Sequence, residues 1–221
     1  MAQPPPDRAI GVDIGLSGLI KWIRYPVVTS EAAGLDVVAS VADRFDGAFA
    51  HQLLRDCLAL LDSPLSSRDV ETLWLAGTFR EFDLGRLGID GRAWLRRIAD
   101  ICTDRIRSDD PSFAPATAPS VTDGAVKEAV AAEIASVGPA LEQATAHHAY
   151  SPLDGVVPAL RRVVDVDPDL AFRLLLRALK GYFVRIGEAR YARYLALGED
   201  LGLGEDVVDD GDFNIWPELD D

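Results

Sequence analysis

Apolar residues recur three or four positions apart through most of the chain beyond residue 30. This spacing places them on one face of an amphipathic helix. Ser30 stands where it can cap the first of these helices, and Asp167-Pro168 is a strong start signal for the last. That last helical pattern is long and ends at Gly198, with Gly181 and Gly187 at points where it can kink or split. The pattern predicts a mainly α-helical protein, a multi-helix bundle.

Two stretches fit either a helix or a strand. In residues 9–28 the apolar positions first alternate, as in a strand, and then recur at helical spacing. In residues 70–78, Val70, Leu73 and Trp74 are at helical spacing, but the segment could also be a strand, and periodicity cannot separate the two. The bundle is therefore expected to leave room for a short N-terminal β element. The alternative is an α+β fold with strands at about 9–28 and 70–78.

Changes in composition divide the chain into segments. Residues 1–8 are rich in proline and are expected to be disordered. Residues 108–123 contain three prolines among small residues, which is typical of a linker or a long loop. This segment separates an N-terminal helical half, 9–107, from a C-terminal helical half, 124–198. The remaining residues, 199–221, form an acidic and aromatic tail.

The tail holds most of the net charge. The chain has 36 acidic and 22 basic residues, for a net charge of −14. Ten of the acids lie in residues 199–221, which contain no Lys or Arg, so the first 198 residues have a net charge of only −4. Phe213 and Trp216 lie among these acids, although a purely solvated tail has no need of aromatic residues. Three interpretations stay open: a disordered solubilising end, a segment docked on its own body, or a partner-binding element.

The partner-binding interpretation assigns contacts to five tail residues: Asp209, Asp210, Asp212, Phe213 and Trp216. Arg173, Arg177 and Lys180 follow one another at i, i+4 and i+7, so they project from one face of the last helix. They could meet phosphate groups or the protein's own tail. Nucleic acid is an unlikely partner for a chain with a net charge of −14.

No catalytic or metal-binding motif stands out. Cys57 and Cys102 lie in apolar helical patterns and are expected to be buried thiols. The histidines show no metal-ligand spacing, and there is no CxxC or HExxH, so no metal or cofactor is predicted. The chain also lacks an apolar run of the ~20 residues that a membrane span needs, and its start does not read as a secretory signal. We expect a cytoplasmic protein without membrane contact.

One short segment resembles a known family. IGVDIGLS, residues 10–17, is similar to the first phosphate-binding hairpin of the actin, sugar-kinase and heat-shock-chaperone ATPase superfamily, with Asp13, Gly15 and Ser17 in a D-x-G-x-[ST] pattern. The resemblance implies that the glycine lets the backbone approach a nucleotide phosphate, that the hydroxyl assists, and that the Asp works with a metal ion. A structural interpretation is a strand and turn in which Asp13 and Ser17 bond backbone groups.

These observations favour a non-enzymatic, protein-binding role. The protein would be an inhibitor or immunity-type protein, or an accessory subunit of an enzyme complex, whose tail binds a partner with a basic surface. The alternative is a small nucleotide- or phosphate-binding enzyme that uses residues 13–17.

Overall fold

The computed structural model describes residues 12–23, 28–116, 123–149 and 152–219. Within these ranges the chain is mostly helical, with two strands of two residues each, which confirms the mainly α-helical prediction. The elements in chain order are α1 (Gly15–Trp22), α2 (Glu31–Ala42), α3 (Ala48–Leu61), α4 (Ser67–Thr78), α5 (Gly91–Asp109), α6 (Gly124–Ala146), α7 (Val156–Val166), α8 (Pro168–Gly181), β1 (Arg185–Ile186), α9 (Glu188–Asp200), α10 (Glu205–Val208) and β2 (Asn214–Ile215). Residues 1–8, predicted to be disordered, lie outside the described residues.

The helix starts follow from side chains that cap them. The Ser30 hydroxyl accepts a hydrogen bond from the backbone N–H of Ala33 at the start of α2. The Asp167 carboxylate accepts one from Leu170 at the start of α8, whose first residue is Pro168. Both caps satisfy backbone donors that have no partner within the helix, so the predicted starts are confirmed.

The two ambiguous stretches are helical wherever they are described. Residues 15–22 form α1, so the N-terminal β element is not found in the described part of 9–28. Residues 70–78 lie within α4, and the α+β alternative is therefore wrong. Both helices are short and enclosed by neighbours, so nearly every side chain faces other protein atoms and the polar side of the helical pattern is missing.

The long C-terminal helical pattern is split in two. Helix α8 ends in a Schellman motif, in which Phe183 N–H donates to Lys180 O at 3.2 Å and Val184 N–H to Leu179 O at 3.0 Å. Strand β1 follows and pairs in parallel with β2, in the register Arg185 to Asn214 and Ile186 to Ile215. The pairing brings the C-terminal segment back against the body of the protein.

A single hydrophobic core links the helices before and after the Pro-rich segment 108–123. Helix α8 lies at its centre, because all of its residues are buried and it packs against α1, α4, α6 and α7. Within the described ranges, no helix is both long and apolar enough to cross a membrane. The site described next is built around α8.

Candidate functional site

Helix α8 is enclosed by the protein, yet it contains three cationic side chains: Arg173, Arg177 and Lys180. An unpaired buried charge is strongly unfavourable, so each of them requires a counter-charge. The structure supplies these counter-charges from three distant parts of the chain. The result is a buried charge network that joins α1, α3, α8 and the C-terminal segment.

Arg173 is held deep inside the network. Its guanidinium forms two hydrogen bonds of 2.9 Å with the Asp56 carboxylate and one of 3.2 Å with Asp169. It also donates to the Ser17 hydroxyl at 2.9 Å. Burial alone would lower the pKa of Arg173, but Asp169 and Asp56 outweigh burial and raise it. These bonds hold Arg173 against α1, α3 and its own helix.

Asp13, Gly15 and Ser17 come together in the same network. Ser17 donates its hydroxyl proton to Asp13 at 2.6 Å, and Arg177 Nε lies 3.3 Å from the other Asp13 oxygen. Burial raises the pKa of Asp13 despite the opposing effect of Arg177 and Arg173. Gly15 has a φ of 74°, and a Cβ there would collide with the Asp56 carboxylate. The glycine is therefore required by a close approach within the protein itself.

The hairpin implied by the family resemblance is not formed by the described residues. The segment after Asp13 turns directly into α1, and all three motif residues are buried. The Ser17 hydroxyl and the Asp13 carboxylate face Arg173 and Arg177 rather than an open phosphate site. The backbone N–H of Leu16, within the same segment, donates to Asp56.

Asp210 in the C-terminal segment completes the network. Its carboxylate accepts hydrogen bonds of 2.6 Å from Lys21, Arg177 and Lys180. We call these three residues the cationic cluster. Although burial opposes ionisation, Arg177, Lys180 and Lys21 hold the pKa of Asp210 far below its usual range.

The same geometry has the opposite effect on Lys180. Burial and the neighbouring Arg177 lower its pKa from 10.5 to about 8, even though Asp210 favours the charged amine. The two directions are consistent, because one carboxylate is shared among three cations. Three cations stabilise the Asp210 carboxylate as an anion. The charged form of the buried Lys180 amine is less favourable, because it shares that one carboxylate with two other cations.

Aromatic side chains hold the next part of the segment. The Phe213 ring lies 6.1 Å from the ring of Tyr191 and 5.9 Å from that of Tyr194, with Lys180 Nζ 4.6 Å above it. Tyr191 donates its phenolic hydrogen to Asp209 at 2.5 Å, and this bond raises the pKa of Tyr191 to about 12. The aromatic stripe on α9 thus receives Phe213 from the tail.

Trp216 is half-buried against β1. The Arg185 guanidinium lies 3.9 Å above its ring, and its indole N–H donates to Asn214 at 2.8 Å. Its backbone N–H donates to Ile186 O at 2.8 Å. The structure therefore places the tail against its own body, as one of the three interpretations had it.

Part of the docked segment still faces solvent. Ile215 and Leu219 remain exposed, and Phe183 next to them is 63% exposed. Phe183 is tied to the segment because its carbonyl accepts a hydrogen bond of 2.7 Å from the Asn214 side chain. We call Phe183, Asp212, Ile215, Trp216 and Leu219 the C-terminal patch. Six acids of the tail are also exposed: Glu199, Asp200, Glu205, Asp206, Asp212 and Glu218.

Sequence reasoning missed Asp56, Asp169 and Lys21 as members of the network. Asp56 had a readable signal, since it lies three residues after Leu53 and four before Leu60 on the apolar face of α3. A carboxylate at such a position needs a buried partner. Lys21 and Asp169 gave no comparable signal, because a charge near a helix end is ordinarily explained by the helix dipole.

The two cysteines and His147, also considered as candidate site residues, have structural roles. Cys57 and Cys102 are buried free thiols, and burial raises the pKa of both, that of Cys102 to about 12. His147 lies 3.1 Å from Gln143 O at the end of α6. In the part of the chain that the structure describes, no group of three or more His, Cys, Asp or Glu side chains could hold a metal ion. No family model, curated protein or solved structure matches this chain.

Proposed function

We propose that this chain is a non-enzymatic binding protein, an inhibitor, immunity-type protein or accessory subunit, that binds a basic protein surface through its C-terminal patch. The observation that supports this most is Phe183. It is a large aromatic residue, mostly exposed, in a left-handed backbone conformation with a φ of 51°.

Phe183 occupies the C′ position of a Schellman motif, where glycine is the usual residue. A left-handed conformation costs a residue with a Cβ about 1–2 kcal/mol relative to an ordinary one. Burial of the Phe183 ring offsets little of this free-energy cost, because most of the ring is exposed to water. Backbone strain at an exposed aromatic side chain is better explained if a partner covers that ring.

Charge favours a partner with a basic surface. Asp210 and Asp209 are engaged inside the protein, but six exposed acids lie in the same segment, 199–221, as Ile215, Trp216 and Leu219. Such a field attracts a positively charged surface and speeds its association. The tail thus has an inner side that binds its own body and an outer side that remains for a partner.

The test compares captured proteins from native lysate of the host cells, with the wild-type protein and Phe183→Asn as baits. Asn tolerates a left-handed conformation, so the variant should be at least as stable as wild type. We expect it to lose the partner, and we expect capture by wild type to weaken as salt is raised.

Phe45→Asn is the matched control. Phe45 is also mostly exposed at a φ of 51°, but it lies between α2 and α3 and its ring is already stacked on that of Phe49, at 5.5 Å. It should retain the partner. If Phe183→Asn retains every captured protein that wild type binds, the proposal is wrong.

The alternative, a nucleotide- or phosphate-binding enzyme using residues 13–17, has less support. Asp13, Gly15 and Ser17 are buried within the protein's own charge network. A thermal shift with ATP and Mg²⁺ tests it directly, since a ligand specific for the native state raises the melting temperature.

A further inference from the structure

We propose that the cationic cluster of Lys21, Arg177 and Lys180 is an oxyanion-binding site whose resident ligand is the Asp210 carboxylate. When residues 209–219 leave the body, the site takes a carboxylate or phosphate group from another molecule. This inference stands apart from the proposed partner contact, because it concerns the surface beneath the tail and not the patch on its outer side.

The cluster has the geometry of an anion site. Lys21 and Arg177 both donate to Asp210 Oδ2 and Lys180 donates to Oδ1, each at 2.6 Å. Both oxygens of one planar anion are thus bound by charged donors from two helices. Charge-assisted hydrogen bonds of this kind are about twice as strong as neutral ones.

Helix α8 fixes the backbone positions of two members of the cluster without help from the tail. Arg177 and Lys180 lie on the fully buried helix α8. Arg177 is also oriented by Asp13, at 3.3 Å. A site that is already organised loses little conformational freedom when it takes a ligand.

The charge balance requires an anion. Among the residues that the structure describes, Asp13 is the one other carboxylate that forms an ion pair with the cluster, and Asp212 adds a weaker electrostatic effect on Arg177. With the tail docked, Arg177 and Lys180 are almost inaccessible to water, with side chains 4% and 2% exposed. Any small oxyanion that enters would relieve this excess positive charge.

The tail can leave without unfolding what precedes it. Helix α10 is anchored by the buried residues Val207 and Val208. Beyond it, Gly211 has a φ of 84°, and the contacts of the segment are polar or half-buried. Lys21 is 40% exposed, so the cluster adjoins solvent on the side of α1.

The experiment is a chemical rescue of Asp210→Ala. Melting temperatures are measured in chloride, acetate and phosphate at equal ionic strength. An anion at about 100 times its dissociation constant raises stability by about 2.7 kcal/mol, so we expect acetate or phosphate to raise the melting temperature by ~5 °C over chloride. Preference for acetate would indicate a carboxylate ligand, and preference for phosphate a phosphoryl group.

Two controls locate the effect. Asp154→Ala removes an exposed carboxylate from the loop before α7, outside the network and the patch, and should respond to anions only as wild type does. Adding Lys180→Met to Asp210→Ala should abolish the rescue. An equal response to anions in Asp210→Ala, Asp154→Ala and wild type would overturn the proposal.

If Asp210→Ala does not fold in chloride, the yield of refolded protein is the readout. Refolding that succeeds in acetate or phosphate and fails in chloride supports the site, and equal failure in all three overturns it. Capture of a partner through Phe183 is measured separately, so either proposal can fail while the other stands.

Discussion

Replacing Asp210 with Ala should strongly destabilise this protein, even though the residue lies near the end of the chain. The substitution removes one carboxylate and leaves three cations around its place. Breaking a buried ion pair from one side costs about 3–5 kcal/mol. Lys21 can be rehydrated and Arg177 keeps Asp13, so we expect the lower end of that range, about 3 kcal/mol.

Urea unfolding followed by far-UV circular dichroism measures this difference. For a chain of this length, 3 kcal/mol corresponds to a fall in melting temperature of roughly 6–12 °C. Asp154→Ala has the same change in net charge at an exposed position outside the network and should lie within about 0.5 kcal/mol of wild type. If the two variants are equally stable, Asp210 does not hold the tail on the body and the charge network is wrongly described.

Three further predictions concern ionisation and burial. The pKa of Asp210 is lowered by folding, so its stabilising effect should be complete above its unfolded-state pKa of about 4 and should shrink as the pH falls further; urea titrations of wild type and Asp210→Ala at pH 3–7 would contradict this if the difference stayed constant. The pKa of Lys180 is lowered to about 8 by folding, so the free energy of unfolding of wild type should rise by up to ~3 kcal/mol relative to that of Lys180→Met between pH 8 and 10.5. A fall in the relative stability of wild type over that pH range would show that the charged Lys180 amine is not destabilised in the native state. Cys57 and Cys102 should not react with a thiol reagent in the native protein and should both react in denaturant; rapid native labelling would show that these thiols are accessible.

The helices were predictable where their sequence signals are local. Ser30 and Asp167 cap backbone N–H groups that lie three residues further along the chain, so the local sequence is enough to predict these helix starts. Helix α1, at 15–22, was not predictable, because its glycines lower the intrinsic stability of a helix. Packing inside the core stabilises this helix. Tertiary context decides such short segments.

The charge network was predictable only in outline. The spacing of Arg173, Arg177 and Lys180 showed a cationic face, but not that Arg173 pairs with Asp56 while the other two pair with Asp210. Those partners lie 117, 33 and 30 positions away along the chain. No local pattern records contacts at such separations, so the three interpretations of the tail could not be distinguished from sequence.

The contact between Lys21 and Asp210 joins residues 189 positions apart, which bears on the rates of folding and unfolding. A contact that closes a long loop loses chain entropy before it contributes favourable free energy, so such contacts form late in folding. Interactions absent from the folding transition state change the unfolding rate and hardly change the folding rate. In stopped-flow measurements Asp210→Ala should therefore unfold faster than wild type and refold at nearly the same rate. The C-terminal segment would then slow unfolding and so set the lifetime of the native state.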